Sequence, residues 1–495
     1  MSDFITISYR DVEGKYFPSI VSDEAMTGSG MEEVVGVRFL QPHIGIRRNG
    51  MFQRFWSMLD MVKTRDKLVK LQANNNTIPS YKIQVQNHFN SAKNILSKNL
   101  AGLTNQELLL TYKKVCADYR DICNFAYTAN LLDRPVSETA KQGLSELMPD
   151  ANDTTRNEYL LMLTRNPAAN FLYNHDLELI EILVNLGSET EITEHINKWK
   201  TLFNGSNDNN GAQDIKERIS TFNNFDKSEL LKKKAEIQSQ FTLAESEIYR
   251  IESELRIPEE LKDTFALLRD CILLKETRKF CMTRLEDLII PLFDEIGKRI
   301  DIKSENIAFL LPKELEDALL NKDGTVTNDK IQTFKDDLCW VVQDGKASRF
   351  IGTEVDEIID KYGLSDGIKP AATITKGQTP TQNTTDFTGF VSCLGYAKGP
   401  VKLVLGKSDF SKVQTGDILV TPITTPEYIA LFDKIKGMVT FDGAGLTSHP
   451  ATLSREYKIP SILGIKELDG VLHDNDIIEV DANNNKVKII RSAEL

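Results

Sequence analysis

The chain is 495 residues long and carries a formal net charge of −12. That length exceeds one hydrophobic core, so roughly two to four domains are expected. The acidic balance argues against general binding to nucleic acid or to an anionic membrane. Six cysteines, none in a C-x-x-C pair, indicate neither a zinc site nor a disulfide framework. The opening Met1-Ser2-Asp3-Phe4 lacks the basic and apolar regions of a signal peptide, and no long uninterrupted apolar run suggests a membrane span. A soluble cytoplasmic protein is expected.

Residues 1–60 have no dominant period. Val34 to Leu40 suits either a strand or a buried turn of helix. His43, Arg47 and Arg48 lie close together in sequence and read first as a solvated basic surface. The sharper reading is an anion or substrate contact.

From about residue 80 to 300 the pattern is helical. Thr104-Asn105-Gln106-Glu107 is a capping box ahead of an apolar run. Leu109, Tyr112, Val115, Cys116, Tyr119 and Cys123 then recur at helical spacing. Further helices are expected over 176–186, 191–203 and 227–254, the last with mixed charges that suit a solvated face. Another runs from about 259 to 300, with a break at Pro291. His88, His175 and His195 read as packed or surface residues. Phe125, Tyr127, Phe171 and Tyr173 read as core rather than pocket lining.

Ile307 to Leu315 reads as an extended run followed by a helix start. Cys339 to Gln343, then Asp344-Gly345, then Lys346 to Gly352 is a hairpin signal. Residues 366–386 are rich in Thr, Gln, Pro and Gly and read as a linker. A flexible coil of ~20 residues spans roughly 25 Å on average and up to ~70 Å when extended. Residues 387–493 alternate strands with short helices and read as an α/β unit. The expected fold is therefore multidomain. A mainly α-helical region at 1–365, with a small β-hairpin near 339–352, is followed by a linker at 366–386 and an α/β domain at 387–493.

One stretch inside that last domain carries chemistry. From Val439 to Gly464 the chain reads as a short apolar strand, a glycine-bearing loop, a helix of about two turns and a second apolar strand. Thr447 or Ser448 can cap the helix, and Pro450 suits its first turn. Unpaired N–H groups and the positive end of the helix dipole collect there, and Gly443 and Gly445 let the backbone approach a ligand. Such a place suits a phosphate. His449 stands at it, and an imidazole can carry a group covalently.

This stretch resembles the phosphohistidine swivelling domain of phosphoenolpyruvate synthase, pyruvate phosphate dikinase and rifampin phosphotransferase. The matching residues are Val439, Thr440, Gly443, Gly445, Thr447, Ser448, His449, Ala451, Arg455, Glu456, Ile459, Pro460 and Gly464. Two departures stand out: Ala444 splits the paired glycines, and Pro450 replaces the alanine after the histidine. A weaker likeness covers Asn306-Ile307-Ala308-Phe309-Leu310 and Glu314-Leu315, which resemble the segment before the swivelling domain.

The resemblance implies that His449 accepts a phosphoryl group at one site and gives it up at another. It implies that Gly443, Gly445, Thr447, Ser448 and Arg455 hold the phosphoryl oxygens, and that Thr421 and Thr424 contact them from the neighbouring run. It assigns no metal ligand on this chain. No glycine-rich phosphate loop and no alternating strand–helix pattern occurs before residue 370, and little chain follows the histidine domain. Neither an ATP-grasp domain nor a phosphoenolpyruvate barrel is therefore expected. By analogy with the histidine-bearing subunit of phenylphosphate synthase, ATP and Mg²⁺ would be held by an ATP-grasp subunit acting in trans, with none bound by this chain. The acceptor would be a small molecule with a hydroxyl or carboxylate group. Two rival readings are a phosphohistidine relay to a protein acceptor and a non-catalytic swivelling-domain binding module.

Overall fold

The computed structural model describes residues 3–11, 16–48, 51–73, 76–166, 171–203, 211–321, 326–335, 337–365, 386–422, 424, 428–441, 445, 448–468 and 471–491. The expected linker falls outside the described residues but for Asp386. The chain divides into two compact units. One comprises Met1–Leu132 with Leu273–Ala371, the other Asp133–Ile272 with Ala372–Leu495. The chain is multidomain, with long helices before residue 365 and a strand-rich C-terminal part. Among the described residues no helix is long and apolar enough to cross a membrane.

The first unit contains a five-stranded antiparallel sheet. Its strands are β1 (Phe4–Asp11), β2 (His43–Arg48), β3 (Met51–Ser57), β4 (Asp337–Gln343) and β5 (Lys346–Ile351). The order is β1-β3-β2-β4-β5, so a C-terminal hairpin joins an N-terminal meander. The hairpin turn lies where Asp344-Gly345 predicts it, and both residues take positive φ (51° and 71°), the backbone of a type I′ turn.

Strand alternation gives this sheet two faces. Ile44, Ile46, Phe55 and Cys339 pack against Val355, Ile358 and Ile359 of the helix Thr353–Tyr362. The opposite face presents His43, Gly45, Arg54 and Trp340, covered by the helix Tyr16–Thr27 that brings Asp23. His43 and Arg47 are buried, at 0% and 6% exposure, which corrects the expectation of a solvated basic surface. Arg48, the last residue of the same strand, does pair on the surface with Asp337 (2.7 Å) and Asp356 (2.6 Å). The error has a physical origin: strand pairing with β4, some 290 residues away in sequence, buries what looks hydrophilic in isolation.

Helices form the rest of the first unit. The helix Asn105–Ala126 opens on the expected capping box, with Thr104 and Glu107 bonding each other's backbone N–H. It packs along the helix Ile78–Leu96. Between the two, His88 Nδ1 meets Asp118 (3.1 Å) and Asp121 (3.6 Å), while Lys114 (2.6 Å) supplies the positive charge Asp118 needs. The long helix Glu259–Leu288 stops just before the helix Ile290–Ile300, with Pro291 in the first turn of the latter, the expected break. Ile307 to Leu315 is not extended. It forms part of two short helices, Ser304–Ile307 and Pro312–Glu316, the second using Pro312 as a starter and Glu314 to bond the N–H of Leu311.

In the second unit, the helices Phe171–Val184, Glu189–Phe203 and Gly211–Phe222 pack around two buried histidines. His175 Nδ1 donates to Asp176 (3.0 Å) and His195 pairs with Glu178 (3.1 Å), with the two rings 4.7 Å apart. Arg218 completes the group with two bonds to Asp176 (2.7 and 2.5 Å). Both histidines are packed residues, as their isolated positions on apolar helices suggest.

The same unit holds an eight-stranded sheet. Its strands are β6 (Asp386–Phe387), β7 (Phe390–Cys393), β8 (Tyr396–Leu403), β9 (Ile418–Thr421), β10 (Gly437–Thr440), β11 (Ser461–Leu463), β12 (Ile477–Asp481) and β13 (Lys486–Arg491). The order is β6-β13-β12-β8-β9-β10-β11-β7. The four central strands β8 to β11 are parallel neighbours, and the outer ones pair antiparallel. Ile418, Val420, Val439 and Ile462 are fully buried in its core, which explains why these strands read as unbroken apolar runs.

Candidate functional site

The site is built on the carboxyl ends of parallel strands, the edge where α/β sheets present ligands. β9 ends at Thr421 and β10 at Thr440, opposite each other in register. The link from β10 to β11 runs through a loop and the helix His449–Glu456. Thr440 braces the far side of this crossover. Its carbonyl accepts from the N–H of Ile465 (2.9 Å), and its hydroxyl accepts from the N–H of Gly464 (3.2 Å).

Sequence dictates the helix start. Ser448 has extended backbone (φ −70°, ψ 154°), and its hydroxyl accepts from the N–H of Ala451 (3.4 Å), so it is the N-cap. The same hydroxyl donates to the carbonyl of Gly445 (2.8 Å), which pins the glycine loop to the helix. Pro450 sits in the first turn, where it has no N–H to leave unpaired. His449 is the first residue of the eight-residue helix, and the positive end of the helix dipole lies under it. Gly443, Thr447 and the side chain of His449 lie outside the described residues.

The remaining expected residues divide by position. Thr421 and Thr424 are buried, at 0% and 2% exposure. Thr421 donates to the hydroxyl of Tyr428 (3.2 Å), which in turn donates to the carbonyl of Val404 (3.3 Å). The Thr424 hydroxyl has no hydrogen-bond partner among the described residues. Arg455 stands in the last helical turn, six residues past His449 and so roughly 9 Å along the axis. Its charge reaches Cys393 on β7, whose thiol burial pushes up to about 11 while Arg455 opposes the rise.

Two neighbours of this site had no signal in the sequence. Tyr428 is buried (3% exposed) and couples the Thr421 hydroxyl to the carbonyl of Val404, the residue after β8. Asp133, in the helix Thr128–Leu147, has Oδ2 only 3.7 Å from where a Cβ at position 445 would stand. Lys141 of the same helix lies 4.9 Å over the ring of Phe390 on β7. These contacts join segments about 250 to 310 residues apart, and no local spacing announces them.

Comparison with known proteins agrees with this geometry. Residues 413–485 match the family described as PEP-utilising enzyme, mobile domain. An uncharacterized phosphotransferase, YvkC of Bacillus subtilis (strain 168), is 39% identical over 102 residues, 21% of this chain and 12% of that protein. A probable phosphoenolpyruvate synthase of Archaeoglobus fulgidus is 40% identical over 87 residues, 18% of this chain and 11% of that protein. Rifampicin phosphotransferase of Bacillus subtilis (strain 168) is 30% identical over 138 residues, 26% of this chain and 16% of that protein. The matched segment thus spans only 11–16% of these three relatives. Within the C-terminal sheet and its capped histidine helix, residues 413–485 are therefore similar to the mobile domain of PEP-utilising enzymes.

Proposed function

We propose that this chain is a phosphotransferase component in which a ring nitrogen of His449 carries the phosphoryl group. The observation that bears most weight is the position of His449 as the first residue of a Ser448-capped helix at the carboxyl edge of a parallel sheet. There the free N–H groups of the first turn and the helix dipole favour an anion. Gly443, Gly445, Thr447 and Ser448 would hold the phosphoryl oxygens, and the hydroxyl of Thr424, buried and without a partner among the described residues, would be a further donor. Thr421 would act with it, and Arg455 would add a positive charge.

In this reading ATP is the source of the group. A separate ATP-grasp subunit holds it with Mg²⁺, which neutralises charge on the transferring phosphates. Residues 387–493 then move as a domain on the 366–386 segment, and a small organic acceptor with a hydroxyl or carboxylate receives the group. Names among the relatives, phosphotransferase and phosphoenolpyruvate synthase, support group transfer of this kind.

The test is labelling. The chain is incubated with an ATP-grasp partner and ATP labelled at the β- or γ-phosphate. An acid-labile, alkali-stable label on the wild-type chain and none on His449→Ala is expected. Label retained by His449→Ala refutes the carrier role. A labelled chain that discharges to a second protein and to no metabolite would replace the small-molecule acceptor with a protein one.

A further inference from the structure

On the inner face of the five-stranded sheet, Asp23 is the hub of a buried polar cluster. Its carboxylate accepts from His43 Nδ1 (2.8 Å), from Trp340 Nε1 (3.3 Å) and from the Arg54 guanidinium. A carboxylate can only accept, so His43 must carry its proton on Nδ1, and its Nε2 keeps a lone pair while the ring is neutral. Burial lowers the His43 pKa by more than the Asp23 bond raises it, which keeps the ring neutral. His43 and Arg54 both lie against Trp56. The His43 and Trp56 rings stack at 4.4 Å, and the Arg54 guanidinium lies 5.4 Å from the Trp56 ring centre.

Each of these three side chains has a buried nitrogen with no hydrogen-bond partner among the described residues: His43 Nε2, Arg54 Nε and Trp56 Nε1. Their exposures are 0%, 9% and 6%. Leaving three such groups unpaired is strongly unfavourable, because each loses its water with nothing in return. Two of them are obligate donors and one is an acceptor. The chemical complement is a molecule that offers two acceptor oxygens and one O–H.

We propose that this cluster binds a small hydroxy-carboxylic acid, whose carboxylate accepts from Arg54 Nε and Trp56 Nε1 and whose hydroxyl donates to His43 Nε2. That the bound molecule is the phosphoryl acceptor rests on the reading above; its hydroxy-acid character follows from the orphaned nitrogens alone. Arg54 supplies charge to the carboxylate without becoming unpaired, because its Nη2 stays on Asp23. The Asp23–His43 pair thus has the orientation of a general base whose tautomer a carboxylate holds.

The test uses the full chain and calorimetry with three matched pairs: glycolate and acetate, lactate and propionate, 4-hydroxybenzoate and benzoate. At least one hydroxy acid is expected to bind ten times or more tighter than its deoxy partner, because a site built to bond a hydroxyl rejects the analogue lacking it. Trp56→Phe keeps the ring stack and removes one donor, and it should weaken that binding about tenfold. Equal binding within every pair, no binding at millimolar concentration, or affinity unchanged in Trp56→Phe each overturns the assignment. Labelling of His449 is read separately. Label without hydroxy-acid binding removes this site and leaves the carrier standing; binding without label does the reverse.

Discussion

The two sheets of this protein acquire their polar sites in opposite ways. In the eight-stranded sheet, cap, histidine and the strands on either side follow one another within residues 437–463. In the five-stranded sheet, the polar centre draws on Asp23, His43, Arg54 and Trp340, the last 317 residues from the first. A short-range site depends on helix-start physics and tolerates much change around it. A long-range site depends on the whole sheet pairing, and each member is buried with a charge or ring that needs its partner.

The largest expected effect tests that dependence. Asp23→Asn leaves the buried Arg54 guanidinium without its counter-charge and should destabilise by about 3–5 kcal/mol, read as the midpoint of urea unfolding. A loss under about 1 kcal/mol would mean that the cluster is not closed from water. Next comes Gly45→Ala. A Cβ at that position would stand 2.1 Å from the Trp340 ring, which lies flat over Gly45 so that its Nε1 reaches Asp23. Overpacking of this sort costs about 1–3 kcal/mol and should be accompanied by a change in tryptophan emission.

A pH scan separates the regions further. Burial pushes the pKa of both His43 and His175 down, so the native rings stay neutral where the unfolded chain takes up protons. Burial pushes the Asp23 carboxyl up, but Arg54 and His43 outweigh it and hold it below the usual range. All three groups bind fewer protons in the native state than in the unfolded one. Stability is therefore full above about pH 6.5 and falls as pH drops through the unfolded histidine range, by up to about 1.4 kcal/mol per unit for each histidine. Asp23 adds to the loss only at lower pH, near the carboxylate range. A flat profile between about pH 6.5 and 5 would show that the two rings charge freely in the native state.

At the other site the expected losses are smaller. Ser448→Ala removes the N-cap and should cost about 1 kcal/mol, with a matching fall in the rate of His449 labelling if the loop needs its tie to Gly445. The smallest effect concerns the thiols. Burial pushes Cys116, Cys123, Cys281 and Cys339 up to about 12. These four should resist a thiol reagent in the native protein at neutral pH, and rapid native reaction at any of them would contradict their burial.

Much of the architecture is legible along the chain because its causes are local. Thr104 and Glu107 announce a helix start three residues apart, and Asp344-Gly345 announces a tight hairpin because both residues tolerate positive φ. Ser448 and Pro450 mark the start of the histidine helix by the same logic. Local signals fail where pairing partners are distant. His43 and Arg47 look solvent-facing beside Arg48, and only pairing of β2 with β4 buries them. The helix start expected at the end of Ile307–Leu315 is there, at Pro312, but the apolar run before it is not extended, and Ile307 closes a short helix instead.

What the residues alone determined is the capped start of the histidine helix. A capped helix start, a glycine loop and an imidazole can be recognised in one continuous stretch, because helix ends make their own anion site from their own backbone. What only the tertiary structure decided is which polar groups lost water. Asp133 beside Gly445 and the cluster around Asp23 exist because packing brings remote segments together. Desolvation is a property of that packing, and no stretch of sequence carries it by itself.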